Sequence, residues 1–293
     1  MPTQPTAASG ASWIVHTAED WERFAGPNWL SDIMTLSVTD RFHAKQGRSI
    51  GRWTLHNGSE IKTVYLKRHF VLPKHHARGA KLMPGRAWSP GLQEYEHLHW
   101  AKQAGIPVPK VAAVGERRGG PEGLQSFLAV EELAGMSALH EAIPAAARLL
   151  DAKSFADWKR TLFAEVARLT WELHRRGAYH QDLYLCHFYI RDADCERPPT
   201  NWLNNVAMID FHRMKRTRLL GAWYQAKDLG QLLFSTEGVV GLGDDDRRML
   251  LDPYRDHRGR NDTQPWCWLE AAAKKRAATN LATQRRRANG GAA

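Results

Sequence analysis

Residues 173–190 read LHRRGAYHQDLYLCHFYI, and residues 206–212 read VAMIDFH. A helical pattern ends at Gly177. His180 and Asp182 follow, separated by one residue, and His187 comes five residues after Asp182. A short hydrophobic strand then ends on Asp210. Upstream, residues 150–176 carry Trp158, Leu162, Val166, Leu169 and Leu173 at helical spacing, so a long helix feeds the loop and Gly177 caps it. Downstream, helical character returns at 222–236, 246–254 and 265–288.

This order of groups suits phosphoryl transfer, which depends mostly on positioning and charge stabilisation. One carboxylate must orient and deprotonate an acceptor hydroxyl, a role that suits Asp182. A second must hold Mg²⁺ against nucleotide phosphates, which suits Asp210. His187 stands where an amide metal ligand is usual in such loops. Its imidazole prefers softer metals, and a hydrogen bond to Asp182 or a phosphate is the alternative. His180 is expected to brace the loop, and His174 to be structural. A lone His-x-Asp is common by chance, and a His/Asp/His metal hydrolase is a competing reading. That reading leaves the first part of the chain unexplained.

The first part is rich in strand signals: ASWIV, IMTLSV, GRWTLHNG and EIKTVYLKRHF. His56-Asn57-Gly58-Ser59 reads as a hairpin turn with Asn-Gly supplying positive φ, pairing 53–56 with 61–68. Residues 71–90 are basic, contain Pro73, Pro84 and Pro90, and read as a loop. Residues 91–104 read as a helix closed by Gly105, with strands at 110–116 and 125–132. Lys67 ends an alternating strand, and Glu94 lies 27 residues later on the apolar face of the helix. A carboxylate on that face needs a partner, and Lys67 supplies one for a phosphate-gripping pair. Glu96 falls on the exposed side. Gly47-Arg48-Ser49-Ile50-Gly51 is expected as a phosphate-covering turn through Gly47 and Gly51, although two glycines make a weak nest. Residues 127–133 (FLAVEEL) read as an edge strand leading to a hinge near 131–136. Its backbone from Glu131 to Leu133 is expected to meet adenine.

The chain has 293 residues with 41 Lys plus Arg against 31 Asp plus Glu, a net charge of +10. The length suits two lobes around a cleft, and the charge suits an anionic partner. Twelve Trp are many, so some must be only partly buried. Cys186, Cys195 and Cys267 form no framework, which favours a reducing, cytosolic setting. Residues 1–12 read as a disordered leader, and no stretch approaches the ~20 apolar residues of a membrane-spanning helix.

Several of these motifs together resemble the bacterial lipopolysaccharide kinase family, which includes inner-core heptose kinases and 3-deoxy-octulosonate kinases. They are Tyr65-Leu66-Lys67-Arg68, Glu94-Tyr95 with Gly105-Ile106-Pro107-Val108-Pro109, and His180-Gln181-Asp182-Leu183-Tyr184-Leu185-Cys186-His187-Phe188. Ile209-Asp210-Phe211-His212-Arg213 and Lys227-Asp228-Leu229 complete them. The resemblance implies a protein-kinase-like fold, ATP with Mg²⁺, and phosphorylation of a sugar hydroxyl in the lipopolysaccharide core. Lys67, Glu94, Asp182 and Asp210 would be the working set. Gln181 departs from the Arg usual between the His and the Asp, and no Gly follows Phe211. Phosphorylation control and a flipping loop are therefore not expected.

Asp228 comes only 18 positions after Asp210, which leaves little room for a peptide-docking segment. A small-molecule or glycan acceptor fits better. Residues 212–218 carry four Lys and Arg, and residues 274–287 carry Lys274, Lys275, Arg276, Arg285, Arg286 and Arg287 after Trp266 and Trp268. These segments suit an anionic glycolipid and membrane surface, or are solvated charge runs.

The resulting expectation is an α+β, bilobal protein-kinase-like fold. It has an antiparallel N-lobe with one helix at 13–132 and a mainly helical C-lobe at 133–293. The protein is expected to be cytoplasmic and peripheral at the inner membrane face. Its expected partner is the lipopolysaccharide core glycolipid, with no nucleic acid and no protein partner deducible. Two rivals stand: a phosphotransferase of aminoglycoside or choline kinase type, and a silent kinase-like binding protein at the membrane.

Overall fold

The computed structural model describes residues 12–38, 47–83, 85–120, 123–259 and 265–290. Residues 1–11 of the expected leader lie outside them, and Ser12 already belongs to the first strand. The chain divides into two compact units, residues 1–100 with 109–133, and residues 101–108 with 134–293.

The first unit is built on strands β1 (Ser12–Thr17), β2 (Arg48–Asn57), β3 (Glu60–His69), β4 (Val111–Gly120) and β5 (Gly123–Glu131). They form one antiparallel sheet in the order β1-β4-β5-β3-β2. Helices α1 (Trp21–Ala25), α2 (Trp29–Asp32), α3 (Lys74–Leu82) and α4 (Pro90–Gln103) accompany it, the last turn of α4 falling in the second unit. Trp21, Trp29, Ile33, Leu66 and Phe127 are buried together, with Trp13 and Trp53 packed against them. Aromatic area on this scale is a large part of what holds a small sheet together.

Several expectations need correction here. The IMTLSV run is not a strand. Arg68 is buried and donates to the carbonyls of Ile33 and Leu36, at 3.2 and 2.7 Å, so that backbone is committed to a turn. Residues 71–90 are not all loop: α3 begins directly after Pro73, which is tolerated there because its missing N–H would have no helical partner. In the hairpin, Asn57 still pairs with Glu60, and Gly58 alone takes positive φ, +59°. The glycine at the first central position therefore makes the turn.

The second unit contains β6 (Met136–Ala138), α5 (Leu139–Leu149), α6 (Ala152–His174), β7 (Ala178–Tyr179), β8 (Phe188–Arg191), β9 (Ala207–Met208) and β10 (Lys215–Arg216). Helices α7 (Gly221–Phe234), α8 (Asp246–Arg258) and α9 (Trp266–Gly290) follow. Asp151 caps α6 by accepting from the backbone N–H groups of Lys153 and Ser154, both at 3.0 Å. The stripe Trp158, Leu162, Val166, Leu169 and Leu173 is buried. Pro144 lies inside α5, which hides that helix from a reading of sequence pattern. Gly230 lets α9 approach α7 closely, since a Cβ there would stand 2.9 Å from the Ala273 carbonyl oxygen. Among the described residues no helix is long and apolar enough to cross a membrane.

Candidate active site

In the first unit, Lys67 lies on β3 between Ile50 of β2 and Leu128 of β5. Its Nζ donates to Glu94 Oε1 at 2.7 Å. The Glu94 side chain is only 4% exposed, so it depends on that cation, whereas Glu96 is exposed. At the other positions expected around a nucleotide, the local structure needs correction. Residues 48–51 are not a turn but the start of β2, with Ser49 opposite Arg68 and Gly51 opposite Leu66. A Cβ at Gly51 would meet Val38 at 2.5 Å, so this glycine serves packing. Gly47, at φ +59°, accepts from the Phe70 N–H and turns the chain into β2. The 127–133 run is not an edge either: β5 is the central strand, flanked by β3 and β4. Glu131 ends β5, and its carboxylate accepts from Lys62 at 2.9 Å. Leu133 follows in coil, half-buried.

The second unit gathers the remaining residues. Buried Asp228 on α7 is the anchor. Its carboxylate accepts from the backbone N–H of His180 at 2.7 Å and of Gln181 at 2.9 Å. It also receives His174 Nε2 at 3.2 Å, and the other nitrogen of His174 reaches the Tyr254 hydroxyl at 2.8 Å. Gln181 takes φ +73°, a turn that this double clamp sustains. His180 is fully buried and donates from Nε2 to the Ile209 carbonyl at 3.0 Å, tying the loop to the backbone before Asp210. Burial holds its imidazole below its ordinary pKa, against the pull of Asp228.

His187 stands between the backbone of Asp182 and the carboxylate of Asp210. Its Nδ1 donates to the Asp182 carbonyl at 2.7 Å, and its Nε2 stands 3.6 Å from Asp210 Oδ2. Asp210 takes φ +65°, and its Oδ1 meets His212 Nδ1 at 2.8 Å. Asp182 Oδ1 also accepts from Gln231 at 3.4 Å, and Arg213 reaches both oxygens of the carboxylate.

No group of three or more His, Cys, Asp or Glu suited to a metal is found among the described residues. Mg²⁺ takes one or two carboxylates and leaves the rest of its shell to phosphates and water. The half-buried Asp210 fits that requirement, and the imidazole of His187 is the poorer donor of the two.

Sequence reasoning gave no site role to three residues of this assembly: Asp228, Gln231 and Arg213. Asp228 carried a signal, because an acid flanked by the apolar face of α7 must find donors. Arg213 was read only as one of a basic run.

The profile of the Lipopolysaccharide kinase (Kdo/WaaP) family matches residues 47–254. This chain belongs to that family. Lipopolysaccharide core heptose(I) kinase WaaP of Pseudomonas aeruginosa is 29% identical over 197 residues, covering 62% of this chain and 67% of that protein. The Escherichia coli protein of the same name is 27% identical over 157 residues, covering 50% of this chain and 53% of that one. The chain therefore spans about half the length of its Escherichia coli relative. A solved structure of WaaP in complex with acyl carrier protein matches with a TM-score of 0.61 at 24% identity, covering 89% of this chain and 98% of that one. That likeness establishes the fold of the lipopolysaccharide kinase family for this chain. The sequence points to no protein partner, yet that relative of the same fold is itself held in a protein complex.

Proposed function

We propose that this chain is an ATP-dependent kinase that phosphorylates a sugar hydroxyl of the lipopolysaccharide inner core, with heptose, named in its curated relatives, as the first acceptor to test. The single observation that carries the reading is that Asp228 clamps the backbone of the Asp182 loop while His180 ties that loop to the carbonyl just before Asp210. A base for the hydroxyl and a carboxylate for a phosphate-bound cation are what phosphoryl transfer requires of such a loop.

In this reading, Asp182 accepts the hydroxyl proton and aims the oxygen at the γ-phosphate. Lys67, braced by Glu94, grips the nucleotide phosphates. Asp210 is the residue that would hold Mg²⁺. Bound there, the cation would offset negative charge on the phosphate oxygens. His187 buttresses the loop backbone at Asp182, and His180 with Asp228 keeps that backbone in place beside the strand end that carries Asp210. Use of ATP suits a cytoplasmic enzyme, and a charge of +10 suits peripheral contact with an anionic inner membrane face.

The test is transfer of labelled phosphate from ATP to purified lipid A–core carrying heptose, to the 3-deoxy-octulosonate acceptor, and to soluble amino alcohols. Asp182→Ala should abolish transfer and leave ATP binding largely intact. Equal loss of both would remove Asp182 from its assigned role. Transfer only to a soluble amino alcohol would select a phosphotransferase of aminoglycoside or choline kinase type. Glycolipid binding with no ATP turnover would select a silent binding protein. Co-purification of an acyl carrier protein with the full chain would extend to it the kind of partner seen in the solved relative.

A further inference from the structure

Within the second unit, α7 and α9 enclose a pocket of about 450 Å³. Its walls present Trp223, Trp268 and Tyr184 together with Lys227, Lys275 and Arg276, and no lining residue is acidic. Trp223 is 46% and Trp268 47% exposed, unusual for indoles on the surface of one unit. The Arg276 guanidinium lies 4.6 Å from the centre of the Trp223 ring. Lys227, Lys275 and Arg276 form no ion pair among the described residues. Burial, and then the charge of Arg213, lowers the pKa of the Lys227 ammonium. Asp228 and Asp182 offset part of the Lys227 charge, but no acid lines the pocket itself, so three cations on its walls favour an anionic ligand.

The pocket is also joined to the loop that carries Asp182. Lys227 Nζ donates to Gln181 Oε1 at 3.0 Å. The Gln231 amide, on the same wall, donates to the Tyr184 hydroxyl at 3.0 Å and reaches Asp182 Oδ1 at 3.4 Å. A molecule seated against Tyr184 and Lys227 therefore lies beside the carboxylate that needs a hydroxyl. Aromatic walls with a few placed charges describe a site for an amphipathic ring bearing an anionic group.

We propose that this pocket is the acceptor subsite, and that it takes a saccharide bearing an anionic substituent, phosphate or carboxylate. The assignment rests on the kinase reading for the word acceptor, but the binding itself does not. The sugar ring lies against Trp223 and Trp268. Lys227, Lys275 and Arg276 receive the anionic group.

Calorimetric titration of the full chain with delipidated core oligosaccharide tests this. Parallel arms use phosphatase-treated and carboxyl-reduced oligosaccharide. Wild type should bind the untreated glycan. Whichever treatment weakens binding identifies the anion. Lys275→Glu, at an exposed position that leaves folding intact, and Trp268→Ala should each weaken binding about tenfold or more, as expected for loss of a charge-assisted contact or a ring face. No binding by wild type, binding indifferent to both treatments, or variants that bind like wild type would each overturn the proposal. Phosphate transfer from ATP in the same samples separates the two readings. Binding without transfer keeps the pocket and removes the kinase assignment. Transfer with variants that bind like wild type keeps the kinase and removes the pocket.

Discussion

Arg213 donates from one guanidinium nitrogen to both carboxylate oxygens of Asp182, at 3.0 and 3.2 Å. The Arg213 side chain is 56% exposed, so the pair contributes little to stability, about 1 kcal/mol or less. In the proposed reading its consequence is for orientation, because it holds the carboxylate that an acceptor hydroxyl would meet. Arg213→Gln should leave the melting temperature nearly unchanged and lower the turnover of phosphate transfer by about tenfold or more. A variant that melts early and turns over normally would show the pair to be structural.

The Lys67–Glu94 pair should behave differently because Glu94 is buried. Lys67→Met strands a carboxylate with little access to water, and should cost about 3 kcal/mol in urea unfolding. Glu94→Gln should cost less, since Lys67 is 18% exposed and retains some hydration. The double variant should be more stable than the sum of the two losses predicts, and a double-mutant cycle measures that coupling.

Asp228→Ala leaves the N–H groups of His180 and Gln181 without their acceptor. Each orphaned buried donor costs about 1–3 kcal/mol, so a loss of about 2–5 kcal/mol is expected by chemical denaturation. Transfer should vanish as well, although Asp228 touches no reacting atom, because the Asp182 loop loses its anchor. Asp228→Asn, which keeps one acceptor oxygen, should be milder on both counts.

The depressed pKa of His180 gives stability a sign with pH. The folded state keeps the ring neutral, while the unfolded chain takes up a proton below the ordinary value of 6.5. The unfolded state then binds more protons, so stability rises with pH in that window. The contribution is fully present above 6.5 and is lost as pH falls from there toward the lowered folded value. The slope from this one group is at most about 1.4 kcal/mol per pH unit. His180→Gln, which can still donate to the Ile209 carbonyl, should flatten the part of a melting-temperature profile that lies below pH 6.5.

The local sequence carried much of the loop and its helices. Helical periodicity marked α6, α7, α8 and α9, and the acid on the apolar face of α4 called for Lys67. Those features are legible because burial imposes a period on the residues themselves. The strand-like run at 33–38 misled because a distant residue, Arg68, claims its carbonyls. Likewise, nothing in FLAVEEL tells a central strand from an edge. That depends on β3 and β4, whose pairing is set far along the chain.

The sequence by itself determined that a His-x-Asp loop, a second Asp after a short strand, and a Lys with a Glu partner would occur in one chain. Their spacing and residue types are local properties, and chemistry constrains them directly. Only the tertiary structure decided that Asp228 anchors the loop, that His180 ties it to the backbone before Asp210, and that Arg213 holds Asp182 rather than standing free in a basic run. It also placed Trp223 and Lys227 of α7 opposite Trp268, Lys275 and Arg276 of α9. Those relations join residues up to about 50 positions apart through packed helices, and sequence spacing carries no distance across such a fold.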